Sequence, residues 1–135
     1  MFENQNVDGV IKMPTIVYFD IAADDMERAK KFYAEVFDWK IEKVPGPFEH
    51  YFIETKTLSG EEGLIGGLGK RETSDQGITN FIGVPSIDEY IIKIEKLGGK
   101  VVEPKTAVPG GGYYAVFIDT ENNTIGIWEE DLNAK

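Results

Sequence analysis

The chain contains two copies of one strand–helix–strand pattern, and this repeat is the feature that most restricts its fold. The first copy runs from Ile16 to Ile41 (IVYFDIAADDMERAKKFYAEVFDWKI), and the second begins near Ile78 (ITNFIGVPSIDEYIIKIEKLGGKVV). In each copy, β-branched and aromatic residues typical of a strand precede an amphipathic helical pattern. Because 135 residues is the length of one domain, we expect both copies to belong to a single domain.

Both predicted helices have recognisable first and last residues. Asp24 is followed three positions later by a glutamate, close to the spacing of a capping box, so we assign Asp24 as the first N-cap. That helix is predicted to end at Asp38. Ser86 has the same relation to a later glutamate and caps the second helix, which Gly98 and Gly99 should end.

Three strand-like segments follow each helix. They are Trp39–Val44, Phe48–Thr55 and Leu64–Leu68 in the first copy, and Lys100–Glu103, Tyr113–Asp119 and Thr124–Glu129 in the second, with a loop over Pro104–Gly112. The order is βαβββ twice, with only two helices. It predicts an α+β fold with mixed sheets and the helices outside, not a doubly wound sheet.

The pattern also suggests boundaries. We expect an N-terminal arm over residues 1–13, a single domain over 14–130 and a short tail over 131–135. Within the domain, module one should cover about 14–70, a polar linker 71–77, and module two about 78–130. The arm is polar apart from Val10, Ile11 and Met13, so we expect it to be loose or docked on a partner.

Charge and composition exclude several classes of protein. The 24 acidic and 14 basic residues give a net charge of −10, which would repel a phosphate backbone, so we expect no nucleic-acid partner. The chain has no cysteine, which excludes disulfides and thiolate metal sites. Its apolar runs are short and its start lacks the apolar core of a signal peptide, so we expect a cytoplasmic protein without a membrane partner.

Three segments together resemble a known family. They are DDMERA at Asp24–Ala29 running into FYAEVFDW at Phe32–Trp39, LGGKVV at Leu97–Val102, and DTENNTIGIW at Asp119–Trp128. In this order they are similar to the vicinal oxygen chelate (VOC) superfamily of glyoxalase I, bleomycin-resistance proteins and extradiol dioxygenases. The resemblance covers Pro14–Glu130. It implies two βαβββ modules whose curved sheets face each other as an open cup.

The resemblance also implies a divalent metal in the cup, held by His, Gln or Glu side chains from the strands. In this chain the corresponding positions carry Tyr18, Thr79 (or its neighbour Asn80, depending on strand register) and Gly126. The strand around Gly63–Leu68 offers only glycines and aliphatic residues inside. Divalent ions in such sites require imidazole or carboxylate ligands, so we expect neither a metal nor another cofactor.

Aromatic side chains and one histidine are the remaining candidates for binding. His50 is the only histidine, and it is either a group that contacts a ligand or a partly exposed strand residue. The strands also carry ten aromatic residues, including Phe48, and alternation should direct about half of them into the cup; the alternative is that they pack in the core. The candidate ligand-binding residues are Tyr18, His50, Thr79, Phe81, Tyr114 and Trp128.

We therefore expect a glyoxalase-like binding protein, rather than an enzyme, that holds a small, partly aromatic or apolar molecule in the cup without a metal. The alternative is a metal-dependent lyase, isomerase or dioxygenase that uses other ligands: Glu61, Glu62, His50 or Glu129. A third possibility is a structural or regulatory module with the arm docked on a partner. The resemblance further implies a homodimer.

Overall fold

The computed structural model describes residues 4–5, 11–46 and 49–135. In the arm, β1 (Asn4–Gln5) pairs antiparallel with β2 (Ile11–Lys12). Val10 and Phe48, both named above, lie outside the described residues. Met13, which follows β2, is largely exposed.

The order of the remaining elements is βαβββ twice, as the sequence predicts. These elements are β3 (Ile16–Ala23), α1 (Met26–Phe37), β4 (Lys40–Lys43), β5 (His50–Glu54), β6 (Ile65–Lys70), β7 (Ile78–Gly83), α2 (Ile87–Lys96), β8 (Lys100–Val108), β9 (Gly112–Ile118) and β10 (Thr124–Glu130). Eight strands with parallel and antiparallel pairing and two helices confirm the α+β class. The chain divides into two compact units. The first is Val17–Phe81, and the second contains Ile82–Lys135 with the residues before Val17.

The first unit is a mixed sheet covered on one face by α1. Its strands are ordered β4-β5-β6-β3, and β3 runs parallel to β6 whereas the other pairs are antiparallel. Alternate residues of each strand face the helix and form the core. That core consists of Ile21, Ala23, Met26, Ile41, Tyr51, Ile53 and Leu68.

The second unit has a smaller core beneath α2. Its strands β10, β9 and β8 are antiparallel neighbours in that order. Val84, Ile87, Ala115 and Ile127 are buried between these strands and the helix. Tyr90, Ile91 and Ile94 of the predicted apolar stripe of α2 pack against this core, whereas Leu97, its last residue, is exposed.

The first residue of α1 is set by Asp25, so the assignment of Asp24 as N-cap is wrong by one position. The Asp25 side chain accepts a hydrogen bond from the Arg28 amide at 3.0 Å. Asp24 instead pairs with the Arg71 side chain at 2.9 Å, and the Glu27 carboxylate accepts from the Tyr51 hydroxyl. Because Glu27 is engaged by a strand, it does not complete a capping box.

The predicted ends of the other helical segments are confirmed. Asp38 ends α1 with a positive φ of 59°. Ser86 caps α2 through the Glu89 amide, and Gly98, with a φ of 102°, follows its C-cap Leu97. Glycine adopts this left-handed conformation without steric cost, which explains its position there.

The loop predicted over Pro104–Gly112 is wrong for its first half, because β8 continues to Val108. The pairing of β8 with β9 shifts register between Val101 and Glu103 and again between Glu103 and Thr106. β8 is the last strand in the order, and an edge strand with bulges tolerates the missing amide of Pro104. Only the segment after Val108 is a turn.

The apolar stripe of α1 is wider than the surface that it buries. Tyr33 packs on the core and stacks on Trp39 with ring centroids 5.2 Å apart, whereas Phe32, Val36 and Phe37 are more than half exposed. Spacing alone therefore overstates the buried part of this helix. Among the described residues, neither helix is long and apolar enough to span a lipid bilayer.

Candidate functional site

The open face of the first unit, defined as the sheet surface opposite α1, carries the polar side chains that the core does not use. Asp20, Gly67 and Phe52 are direct neighbours across β3, β6 and β5. His50 lies opposite Gly69 on the same pair of strands. Since Tyr51 and Ile53 belong to the core, alternation places His50 and Phe52 on the open face.

Three polar atoms converge above Gly67 on this face. A β-carbon placed on Gly67 would lie 2.7 Å from Nε2 of His50 and 2.8 Å from Oδ1 of Asp20, and it would overlap the hydroxyl of Tyr18. Only a glycine leaves room for these three side chains to approach the strand so closely. Gly67 thus gathers residues from β3 and β5 into one small polar cluster, which we call the Asp20 cluster: Tyr18, Asp20 and His50.

An aromatic pair borders the Asp20 cluster. The rings of Tyr18 and Phe81 are 5.9 Å apart with an interplanar angle of 68°, which is an edge-to-face contact. Because Phe81 contacts Tyr18, alternation along β7 places Thr79 on this face and Asn80 on the other. The first unit therefore brings together Tyr18, His50, Thr79 and Phe81 of the six candidates.

Asp20 is the functional candidate that sequence reasoning missed. Its Oδ1 is a buried side-chain oxygen without a hydrogen-bond partner in the described structure. Burial raises the pKa of this carboxyl, and the nearby His50 acts in the opposite direction. The available sequence signal was alternation, since Asp20 shares the face of Tyr18 and is a charged residue within an otherwise apolar strand.

Tyr18 is held in its neutral form. Burial raises the pKa of its phenol, and the adjacent Asp20 raises it further. The phenol therefore acts as a hydrogen-bonding and aromatic group at neutral pH, not as an anionic ligand.

The other two candidates, Tyr114 and Trp128, lie together in the second unit. They are direct partners across β9 and β10, on the side of these strands away from the buried Ala115 and Ile127. The Tyr114 hydroxyl donates to the Glu103 carboxylate at 2.7 Å. Trp128 packs over the glycines of the β8–β9 turn.

The carboxylates proposed as alternative metal ligands have structural partners. Glu62 pairs with Lys56 at 2.7 Å, and Glu61 accepts a hydrogen bond from Ser59 in the same turn. Glu129 lies on the helix side of β10 and accepts from the amide of Ile87, at the start of α2, at 2.9 Å. Glu129 thus accepts a hydrogen bond from the first turn of α2 and is not free to bind a metal.

A depression at the start of α1 is formed largely by carboxylates that have structural roles. It is lined by Asp24, Asp25 and Glu27 among others. These three bind the Arg71 side chain, the Arg28 amide and the Tyr51 hydroxyl respectively. The Asp20 cluster, whose carboxylate oxygen has no such partner, is therefore the stronger candidate site.

The family of the chain follows from a direct comparison. The model of the Glyoxalase/Bleomycin resistance protein/Dioxygenase superfamily matches residues 15–127. The chain belongs to this superfamily. The match includes both βαβββ repeats and the Asp20 cluster, and it confirms the resemblance identified from the motifs.

Curated relatives within the superfamily are distant. A glyoxylase-like domain-containing protein of Didymella fabae is 29% identical over 114 residues, which cover 80% of this chain and 88% of that protein. CFP32 of Mycobacterium tuberculosis, whose name assigns it provisionally to the glyoxylases, is 26% identical over 115 residues, or 83% of this chain. The aligned region covers only 44% of the mycobacterial protein.

Solved structures share the fold at low identity. A variant of Streptomyces coelicolor methylmalonyl-CoA epimerase in complex with 2-nitronate-propionyl-CoA aligns with a TM-score of 0.67 and 12% identity, covering 92% of this chain and 99% of the epimerase. A hypothetical protein from Bacillus halodurans aligns with a TM-score of 0.66 and 15% identity, over 92% and 99% of the two chains. At these identities the likeness establishes the VOC fold alone.

The residues at the superfamily's metal positions do not fit a divalent ion. Tyr18 is a neutral phenol, Thr79 offers a hydroxyl, and Gly126 has no side chain. Asp20 and His50 are two possible ligands. However, no group of three or more His, Cys, Asp or Glu side chains in the described part of the chain is arranged to bind a metal.

Proposed function

We propose that this VOC protein binds a small, partly aromatic or apolar molecule on the open face of its first unit, without a metal. The observation that carries the proposal is the identity and state of Tyr18. At the position where the family pattern implies a metal ligand, the chain has a half-buried neutral phenol packed edge-on against Phe81. A site of this composition suits an aromatic ring better than a metal ion held by anionic ligands.

Neighbouring residues extend the apolar part of this surface. Phe52 lies on the same face, next to the backbone of Gly67, and 40% of its surface is exposed. Glycines at positions 67 and 69 leave β6 without side chains there, and the side chains of the Asp20 cluster lie directly over them. Aromatic rings beside a small group of polar atoms are typical of small-molecule sites.

Metal content gives the first test. Protein purified without chelator should contain less than stoichiometric Zn, Ni, Mn or Fe by inductively coupled plasma mass spectrometry. Treatment with EDTA should leave its melting temperature unchanged. A stoichiometric ion whose removal lowers the melting temperature would overturn the metal-free proposal and favour the metal-dependent lyase, isomerase or dioxygenase.

Binding of aromatic fragments gives the second test, with the single histidine as reporter. His50 should give one set of imidazole signals in a ¹H–¹⁵N spectrum, and fragments that bind beside it should shift them. Phe81→Ala should weaken this binding, whereas Phe32→Ala, which removes an exposed ring from α1, should not. Equal effects of the two variants would contradict the assignment of the open face.

A further inference from the structure

The Asp20 cluster contains an acceptor that no described residue uses. Oδ1 of Asp20 is buried and has no hydrogen-bond partner among the described residues, although Tyr18 and His50 approach the same point above Gly67. A buried polar atom without a partner destabilises the folded state, and a charged one does so more strongly. An acceptor of this kind is available for a donor that the described residues do not supply.

Two basic side chains of the first unit, Arg71 and Lys40, are engaged with other groups. Arg71 donates to the Asp24 carboxylate at 2.9 Å and to the carbonyls of Ala22 and Gln76. Lys40, on the outer strand β4, pairs with Glu42 at 3.1 Å. Neither therefore neutralises Asp20, and His50 is the one basic side chain in the cluster.

Charge and aromatic character determine which donor fits. The chain carries a net charge of −10, so its field attracts cations and repels anions. The rings of Tyr18 and Phe81 present π-electron density next to the carboxylate, and aromatic faces also attract organic cations. A protonated nitrogen that donates to Asp20 and carries an aromatic ring would satisfy both features at once.

We infer that the open face of the first unit is a subsite for a ring-bearing nitrogen cation, an arylalkylammonium or an amidinium, whose N–H donates to Oδ1 of Asp20. The inference rests on the proposed function, because it assigns the polar end of the same ligand. Tyr18 and Phe81 contact the ring, and His50 lies beside the cationic group. Gly67 is essential because any side chain there would displace the Asp20 cluster.

Four probes of similar size test the inference: benzamidine, benzylamine, benzyl alcohol and benzoate. Each is titrated at millimolar concentrations against the full chain, and binding is followed by the His50 imidazole signals and by isothermal titration calorimetry. The two cations should bind about tenfold or more tightly than benzyl alcohol, since a hydrogen bond to a charged group is the strong kind. Benzoate should bind most weakly.

Two variants make the result specific. Asp20→Asn should remove the preference for the cations and leave the affinity for benzyl alcohol within about twofold. Glu35→Gln removes the same charge from the exposed side of α1 and should keep the preference. If both variants weaken the cations equally, the attraction is only the net field and the subsite is refuted.

The remaining outcomes separate this inference from the proposed function. If benzyl alcohol binds as tightly as the cations and Phe81→Ala weakens both, the aromatic site stands and the cation subsite is wrong. If benzoate binds most tightly, the subsite prefers anions and the inference is wrong. If none of the four probes shifts the His50 signals, both the inference and the proposed open-face site are overturned.

Discussion

Substitution of Gly67 by alanine tests the crowding of the Asp20 cluster most directly. The added methyl group would lie 2.7 Å from Nε2 of His50 and 2.8 Å from Oδ1 of Asp20, and it would overlap the Tyr18 hydroxyl. Overpacking of this kind costs about 1–3 kcal/mol. Alanine recovers about 0.5–1 kcal/mol over glycine within a strand. We therefore expect a net loss of about 1–2 kcal/mol.

The assay is reversible urea unfolding at neutral pH, supported by thermal unfolding. The expected loss corresponds to a fall of about 4–8 °C in melting temperature for a domain of this size. Gly77→Ala is the matched control, because a β-carbon there meets nothing within 4 Å and the glycine has no positive φ. The control should be neutral or stabilised by up to about 1 kcal/mol.

A double substitution identifies the source of the cost. Tyr18→Phe removes the hydroxyl that the new methyl overlaps, so Gly67→Ala should cost less in that background by about 0.5 kcal/mol or more. If Gly67→Ala behaves like Gly77→Ala, or if the two substitutions are additive, the three side chains do not crowd Gly67 and the reasoning is refuted.

Three further predictions concern Asp20, Arg71 and Glu129. Because burial raises the pKa of Asp20 above 3.8, the folded state holds this proton more tightly than the unfolded chain, and stability falls as pH rises from 3.8 through the raised value. Asp20→Asn should therefore be more stable than the parent by about 1 kcal/mol or more above that range and similar to it below; a difference independent of pH in urea titrations would contradict this. Arg71→Ala should destabilise the fold by about 1–3 kcal/mol, since a partly buried carbonyl and the Asp24 carboxylate lose their hydrogen bonds. Arg71→Lys should recover little of this stability, because lysine lacks the planar guanidinium group. Full recovery by lysine in chemical denaturation would show that charge alone matters. Glu129→Ala should cost about 1 kcal/mol and speed amide exchange at Ile87, and unchanged exchange would show that the cap is not formed in solution.

The fold could be predicted from the sequence where the signal is local and periodic. The helix within Ile16–Ile41 has an apolar stripe and acidic residues at its start, and it ends at Asp38, a residue type that tolerates a positive φ. The helix and its end could therefore be predicted from the sequence. The exact cap was not, because the choice between Asp24 and Asp25 depends on Arg71, 47 positions from Asp24. The sequence predicts too short a β8, because a proline usually ends a strand and the bulges that accommodate Pro104 depend on pairing with β9.

Only part of the candidate site could be predicted from the sequence. Tyr18 and His50 could be chosen because a family motif and a residue count single them out. Asp20 could not be identified from the sequence, because its importance depends on its neighbours, a glycine on β6 and an imidazole on β5. Its own Oδ1 is buried without a partner among the described residues. Strand pairing brings these together, and one strand's sequence does not specify which residues oppose it.

The long-range hydrogen bond from the Ile87 amide of α2 to Glu129 affects the order in which the two units fold during translation. α1 is capped by a residue next to it, and its unit is the continuous segment Val17–Phe81, so all its parts are present once that segment has emerged from the ribosome. α2 has a local N-cap in Ser86, but the amide of Ile87 gains its partner only when Glu129, 42 residues downstream, has been made, and the unit of α2 also includes residues that precede Val17. Units generally fold as they become complete. The half of the molecule that carries the Asp20 cluster can therefore form while the last strand is still being translated.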